Sequence, residues 1–327
     1  SPVAQDYFKH SAHVLTEYLE TTPDLIAVDP HPEYFSTSLA REMNADVIEV
    51  FHHHAHAVSL LFEHGIRGPA LFAVFDGTGY GTDGSIWGGE FLLADMEHFQ
   101  RLGHIGIFHL PGGEAAIREP VRILAALLAQ AHDGRVPERF VPLMGEHAHR
   151  AELWIEAVKK RINAPATSSA GRLFDSAAAA VGFLRPVTFE GQAAMWLESI
   201  AKGNTFDPYP VVIEGADPMV VDPAALMVNV ADDMLRNCDS GRISARFHAT
   251  VAMMISQTIG KLAQQTGITT VGLSGGCFQN KLLTEYTLAL LEAQKLKVLL
   301  HKSIPPNDGG IAVGQAVTAW TRHAGSD

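Results

Sequence analysis

An α/β fold in two lobes, with a helical insert between them, is what the order of apolar patterns predicts. Strand-like and helical runs alternate at both ends of the 327-residue chain, helices dominate residues 115–203, and each lobe carries an apolar strand that runs into a glycine-rich turn. Residues 8–19 have helical spacing, with Phe8, Val14, Leu15, Tyr18 and Leu19 apolar. Residues 25–28 read as a short buried strand, followed by a helix over about 33–44, a strand over 47–51 and a helix from His52 to about His64. Residues 70–75 are almost continuously apolar, as in a strand covered on both faces, and 86–94 with 100–108 complete a hairpin-rich patch. The insert holds helices over 122–130, 151–161, 172–181 and 191–201, then an irregular, part-β passage over 208–221. A long helix over about 244–265 precedes strand 269–273, helix 278–293, strand 297–301 and a last helix from about Gly310. The expected division is an N-terminal lobe over 1–110, a helical insert over 111–240 and a C-terminal lobe over 241–327.

Composition narrows the function classes. A chain of this length buries a large core. No run of some 18 uncharged apolar residues occurs, so no membrane span is expected. The first ten residues lack a basic segment followed by an apolar one, so no secretory signal is expected. Cys238 and Cys277 are the two cysteines, too few for a disulfide framework or a zinc finger, and a cytoplasmic protein with reduced thiols is the expectation. A formal net charge of −12 argues against broad binding to a nucleic-acid backbone. Lys159-Lys160-Arg161 reads as one solvated helix end.

The most informative stretch is Val50-Phe51-His52-His53-His54-Ala55-His56. On a helix, His52 and His56 lie one turn apart on one face, where two imidazoles can bind one metal ion. The same stretch also suits a polar helix start with histidines as caps. Two glycine turns follow. Phe75-Asp76-Gly77-Thr78-Gly79-Tyr80-Gly81 places an aspartate at a strand end, before glycines whose amides can approach an anion. Leu273-Ser274-Gly275-Gly276 precedes a helix, whose free amides and dipole suit phosphate. Either turn alone is equally what tight hairpins and helix starts need. At corresponding places in two lobes they suggest a nucleotide in the cleft between them. Pro305-Pro306-Asn307-Asp308-Gly309-Gly310 is a stiff approach to a carboxylate, which also suits a helix N-cap.

Together with Trp87-Gly88-Gly89-Glu90, Asp29-Pro30-His31-Pro32, the run from Leu110 to Pro120, Gly171-Arg172-Leu173-Phe174-Asp175, Phe189-Glu190-Gly191-Gln192-Ala193-Ala194 and Ser274-Gly275-Gly276-Cys277-Phe278-Gln279-Asn280, these motifs resemble the C-terminal transferase domain of the HypF carbamoyltransferases, which mature nickel–iron hydrogenases. A looser likeness extends to the antibiotic carbamoyltransferase TobZ and to the TsaD family. The resemblance implies an actin/hexokinase-like (ASKHA) nucleotide-binding fold whose first β-hairpin is absent from this chain. The chain is then either a fragment or a short stand-alone form.

The resemblance also implies a metal site of His52, His56, Asp76 and Asp308, holding one divalent ion, Fe(II) or Zn(II). It implies ATP, AMP or carbamoyl-adenylate as bound nucleotide. Gly77, Thr78, Gly79 and Tyr80 match the phosphate-contacting loop, and Gly275 and Gly276 match a second phosphate turn. Asp175, Gly191 and Asn280 match positions that hold ribose and adenine. His53 and His54 are expected to serve around the metal site or at the surface. The implied reaction is carbamoyl transfer from carbamoyl-adenylate to the C-terminal cysteine of a HypE-like partner. The nucleophile comes from that partner, and no catalytic residue is assigned in this chain. A separate carbamoyl-adenylate-forming domain or protein is the expected supplier. Cys277, at a helix start, is open to acidification, but its expected role is packing. Competing readings are O- or N-carbamoyl transfer to a small molecule or tRNA, and a non-catalytic metal- and nucleotide-binding docking module. A metallopeptidase ranks last, because no glutamate lies between His52 and His56 to act as base.

Overall fold

The computed structural model describes residues 2–203 and 206–325. In chain order the elements are α1 (Pro2–Tyr18), β1 (Leu25–Val28), α2 (Phe35–Glu42), β2 (Asp46–Glu49), α3 (His52–Glu63), β3 (Ala70–Tyr80), β4 (Ile86–Ala94), β5 (Phe99–Ile105), β6 (Phe108–His109), α4 (Glu114–Arg118), α5 (Val121–Gln130), a 3-10 stretch (Glu138–Arg150), α6 (Ala151–Lys159), β7 (Ala166–Thr167), α7 (Ala170–Ala180), α8 (Gln192–Ile200), β8 (Ile213–Glu214), β9 (Met219–Val221), α9 (Pro223–Leu235), α10 (Ser240–Thr266), β10 (Thr270–Ser274), α11 (Lys281–Ala293), β11 (Lys297–Leu299) and α12 (Ile311–Ala324). Helices α4 and α9 lie outside the runs expected from the sequence. The start of α9 is nonetheless written in the chain: Asp222 caps the amides of Ala224 and Ala225, and Pro223 occupies the first helical turn.

One mixed sheet organises the protein, in the order β11-β10-β3-β4-β5-β9-β8, with β6 and β7 attached beside β4, while β1 and β2 form a separate parallel pair. The core of the sheet is the β3–β4–β5 antiparallel meander, with β10 and β11 added in parallel on the β3 side. This pairing differs from the expected lobes. Val271 to Ser274 pair with Leu71 to Val74, so both glycine turns lie at the same ends of adjacent strands, not in separate halves.

A second difference concerns the first turn. Strand β3 does not stop at Asp76 but runs on to Tyr80. Its register shifts between Phe75 and Gly79, so that Asp76, Gly77 and Thr78 oppose Gly88 alone. A bulge of this kind kinks the strand and re-aims its side chains. Gly88 makes room for it, since a Cβ there would meet the Asp76 carbonyl oxygen at 2.7 Å and Ser169 Cα at 2.9 Å.

Helix α3 is packed between the sheet and α12, and ten of its twelve residues are buried. Gly314 of α12 faces the backbone of Ala55, where any Cβ would overlap the carbonyl. The helices therefore touch backbone to backbone, and this close approach sets where the histidine face points. Helix α1, by contrast, buries none of its residues; Phe8, Val14, Leu15, Tyr18 and Leu19, read from the sequence as its apolar members, are all exposed.

Candidate metal and nucleotide site

All four histidines of α3 are buried. None caps the helix: Phe51 occupies the N-cap position without a side-chain bond. His53 and His54 are therefore not surface residues. His54 Nε2 lies 2.9 Å from the Asp95 carbonyl and its ring stacks on Phe99. His53 sits between His52 and Trp87, with neither ring nitrogen hydrogen-bonded.

His52 and His56 converge with the two aspartates expected beside them. Asp76 Oδ2 lies 3.0 Å from His52 Nε2 and 3.5 Å from His56 Nε2, and Asp308 Oδ1 lies 3.7 Å from both nitrogens. One donor atom from each residue falls within 4.8 Å of all the others. Asp76 is fixed from behind, because its Oδ1 accepts the Gly276 amide at 2.9 Å. Asp308 is not the cap of its own turn; Asn307 is, accepting the Gly309 amide, which leaves the Asp308 carboxylate facing the histidines. The Asp308 side chain is 69% exposed, whereas those of His52, His56 and Asp76 are at most 8% exposed. The site is thus buried on three sides and open at Asp308.

Electrostatics match this geometry. Burial disfavours the His56 imidazolium, but Asp308 and Asp76 outweigh it and raise its pKa to about 9. Burial likewise acts to raise the Asp76 carboxyl, yet His52 and His56 hold it well below the usual range. His56 Nε2 nevertheless has no well-formed hydrogen bond. Two imidazole nitrogens and two carboxylate oxygens suit a divalent cation, whose ligand atoms sit about 3.3 Å apart in a tetrahedral shell. The residues present fit a metal ion. Asp29 Oδ2, 3.8 Å from His52 Nδ1, stands where an outer carboxylate would orient that ring.

Asp76 and Asp308 also line a cavity of about 520 Å³ that opens toward α7 and α8. Of the nucleotide positions read from the sequence, Gly77, Asp175, Gly191, Gly276 and Asn280 line it. Thr78 lies instead on an adjoining cavity of about 340 Å³. Gly79, Tyr80 and Gly275 line neither. Gly79 is covered by the His52 and His53 rings, and Tyr80 meets His31 edge-on. Gly275 has φ +98° and lies against the Phe75 backbone, so its glycine identity serves strand packing. Asn280 lines the cavity, but its amide is committed: Oδ1 caps α11 at Leu283 and Nδ2 donates to His248 Nε2.

Arg172, Glu190 and Glu198 also line the cavity, and the sequence reading gave them no role. Arg172 is the one cation among the lining residues, lying 3.2 Å from Asp175 one turn along α7. Burial pushes the Asp175 carboxyl up, with Arg172 opposing and Glu190 reinforcing the shift. Helix α7 enters the site because Ser169 caps the Arg172 amide while donating to the Gly77 carbonyl at 2.5 Å. Burial, followed by the negative charge of Asp76, pushes the Cys277 thiol well above its ordinary pKa, so the acidification left open by its helix-start position does not occur.

The buried histidines give the metal-free protein a defined acid limit. Burial lowers His54, His248 and His301 to about 4 and holds His53 well below its ordinary value. Unfolded histidine titrates near 6.5. Between about pH 4 and 6.5 the unfolded chain binds protons that the folded one refuses. Stability then rises with pH, by up to about 1.4 kcal/mol per unit for each histidine. His56 acts oppositely, because its contribution is complete below about 6.5 and is lost as pH rises through 9. Urea unfolding of metal-free protein is expected to show maximal stability near pH 6.5–7, and a flat profile from pH 4.5 to 9 would contradict these assignments.

Comparison with known proteins places the chain in a family. Residues 72–315 match a family model described as carbamoyltransferase, Kae1-like domain, second subdomain, and residues 1–63 match the HypF Kae1-like domain. Carbamoyltransferase HypF2 of Cupriavidus necator is 37% identical over 336 residues, covering 94% of this chain and 41% of its own length. A carbamoyltransferase HypF homolog from the same organism is 34% identical, covering 97% of this chain and 83% of its own length. The crystal structure of full-length HypF in its phosphate- and nucleotide-bound form superposes with a TM-score of 0.91 at 34% identity, over 98% of this chain and 42% of that one. HypF of T. kodakarensis superposes with a TM-score of 0.81 at 30% identity, over 92% of this chain and 40% of that one. The chain therefore spans about two fifths of those HypF proteins, and the α/β fold expected from its sequence is theirs. By family match, by sequence and by fold, the chain belongs to the Kae1-like domain family of the HypF carbamoyltransferases.

Proposed function

We propose that this chain binds one divalent metal ion and an adenine mononucleotide side by side, and transfers a carbamoyl group from carbamoyl-adenylate to a cysteine thiolate of a partner protein. The observation that carries this reading is the double use of Asp76 and Asp308, which complete the four-donor cluster and line the 520 Å³ cavity. A ligand phosphate at that edge of the cavity lies next to both the cluster and the Gly276 amide.

His52, His56, Asp76 and Asp308 would hold the ion, Fe(II) or Zn(II) by donor type. Bound there, it supplies charge neutralisation and Lewis acidity. The remaining work falls to the chain. The Gly276 amide keeps Asp76 aimed, and Asp175 and Gly191, matched by the resemblance to ribose and adenine positions, line the cavity together with Gly77 of the loop it matches to phosphate. In the transfer a thiolate forms an S–C bond to the carbamoyl carbon, the C–O bond to phosphate breaks, and AMP departs as the anion. Cys277, the cavity's own thiol, is held protonated by burial, which favours a nucleophile from outside. A HypE-like protein with a C-terminal cysteine is the acceptor the family resemblance suggests.

Mixing metal-loaded protein, synthetic carbamoyl-adenylate and such a partner is expected to add a carbamoyl mass to the partner's terminal cysteine. Mass spectrometry showing no adduct, with the donor intact, would sink the transfer reading. Label appearing on a small alcohol or on tRNA instead would move the function to the competing carbamoyltransferase class.

A further inference from the structure

The fourth donor of the cluster sits at the end of a loop without regular structure over 300–307, and one side chain of the histidine helix, some 240 residues earlier in the chain, holds that loop. Glu63, the last residue of α3, accepts through Oε1 the amides of Lys302, Ser303 and Ile304 at 3.0, 2.5 and 3.3 Å. These residues lead directly through Pro305 and Pro306 to Asn307 and Asp308. The other carboxylate oxygen, Oε2, lies 3.3 Å from His301 Nδ1. His301 Nε2 contacts Ser274 Oγ at 2.9 Å, and that hydroxyl donates to the His56 carbonyl at 3.1 Å. The chain of contacts begins and ends on α3, at Glu63 and at His56. Beyond Ile304 the loop is pinned again, because the Pro306 carbonyl accepts the Gly275 amide at 2.9 Å. An acidic residue at a helix C-terminus is disfavoured by the helix dipole. The placement of Glu63 costs α3 and is compensated by three charge-assisted bonds to the loop.

We propose that Glu63 is a positioning residue, a latch that ties the Asp308-bearing loop to the end of the histidine helix and so holds the fourth donor over His52 and His56. Asp308 needs such a device more than the other three donors. His52, His56 and Asp76 are buried within regular elements, whereas Asp308 is largely exposed on the loop's far end. Without the latch the loop would keep its bond from Gly275 and the seat of α12 on α3, but its approach over residues 302–304 would lose its three bonds to the end of α3. The inference deepens the metal reading above and rests on it.

The test uses the full chain with Glu63→Ala and Glu63→Gln, and two readouts. The first is Co²⁺ affinity by visible absorption at a temperature well below unfolding. The second is amide hydrogen exchange at Lys302, Ser303 and Ile304 in metal-free protein. Glu63→Ala is expected to lower Co²⁺ affinity about 10–100-fold, as loss of outer-sphere support does, and to speed exchange at those amides at least tenfold. Glu63→Gln keeps the accepting oxygen and is expected to stay within about threefold of wild type on both readouts, a rescue that a lost charge alone does not give. Unchanged exchange in Glu63→Ala, or loosened exchange with unchanged Co²⁺ affinity, overturns the latch. Wild-type protein that takes up no Co²⁺ refutes the metal reading itself, and exchange at the three amides then decides alone whether Glu63 holds the loop.

Discussion

Asp76→Ala is expected to weaken divalent-metal binding by about 100-fold or more. Loss of an outer carboxylate behind a ligating histidine costs about 10–100-fold, and Asp76 is itself a donor. It is also the hub of the site: its Oδ2 meets both histidines, its Oδ1 takes the Gly276 amide, and its backbone lies at the bulge facing α7. The substitution removes one of the two carboxylates, Asp308 and Asp76, that raise the His56 pKa in the metal-free protein. Competition against a chromophoric chelator measures the effect, with Asp29→Asn as a graded control expected to lose about tenfold. Equal affinity in Asp76→Ala and wild type would remove Asp76 from the ligand set.

Gly314→Ala is expected to lower global stability even though alanine is the better helix former. Alanine in a helix interior is worth roughly 1 kcal/mol over glycine. The added methyl, however, would overlap the Ala55 carbonyl on α3, and overpacking a tight contact costs about 1–3 kcal/mol or more. With an overlap this deep the upper end of that range applies and the clash wins, for a net loss of up to about 2 kcal/mol. Relief requires α12 to move off α3, and the turn carrying Asp308 runs straight into α12. Metal affinity is therefore expected to fall with stability. Urea midpoints that rise in Gly314→Ala would show that the helices are not in backbone contact.

The convergence of His52, His56, Asp76 and Asp308 was legible because its parts are local or carried by family motifs. Helical spacing puts His52 and His56 on one face, and Asp76 and Asp308 joined them through the family resemblance. The neighbourhood of the two glycine turns was not legible, because strand pairing is a long-range property. Leu273-Ser274-Gly275-Gly276 looks like a second lobe's phosphate turn until β10 is seen to lie beside β3. The bulge was hidden for a related reason: glycines at 77 and 79 suit a turn and a kinked strand equally well, and only Trp87 and Gly89 across the ladder distinguish them. Burial of His53 and His54 contradicted their polar chemistry, since nothing local announces that α12 will cover their helix. Arg172 and Glu63 went unassigned because each acts through partners distant in sequence or through a cavity. Helix α9, by contrast, is announced locally, by the Asp222 cap and by Pro223 in its first turn.

The central claim is that metal and nucleotide share one site through Asp76 and Asp308. Calorimetric titration of AMP into metal-free and metal-loaded protein, repeated with Asp308→Ala, tests it most directly. Metal is expected to tighten AMP binding at least about tenfold, roughly 1.4 kcal/mol of coupling, and Asp308→Ala to abolish the difference. Identical AMP affinity with and without metal would contradict it.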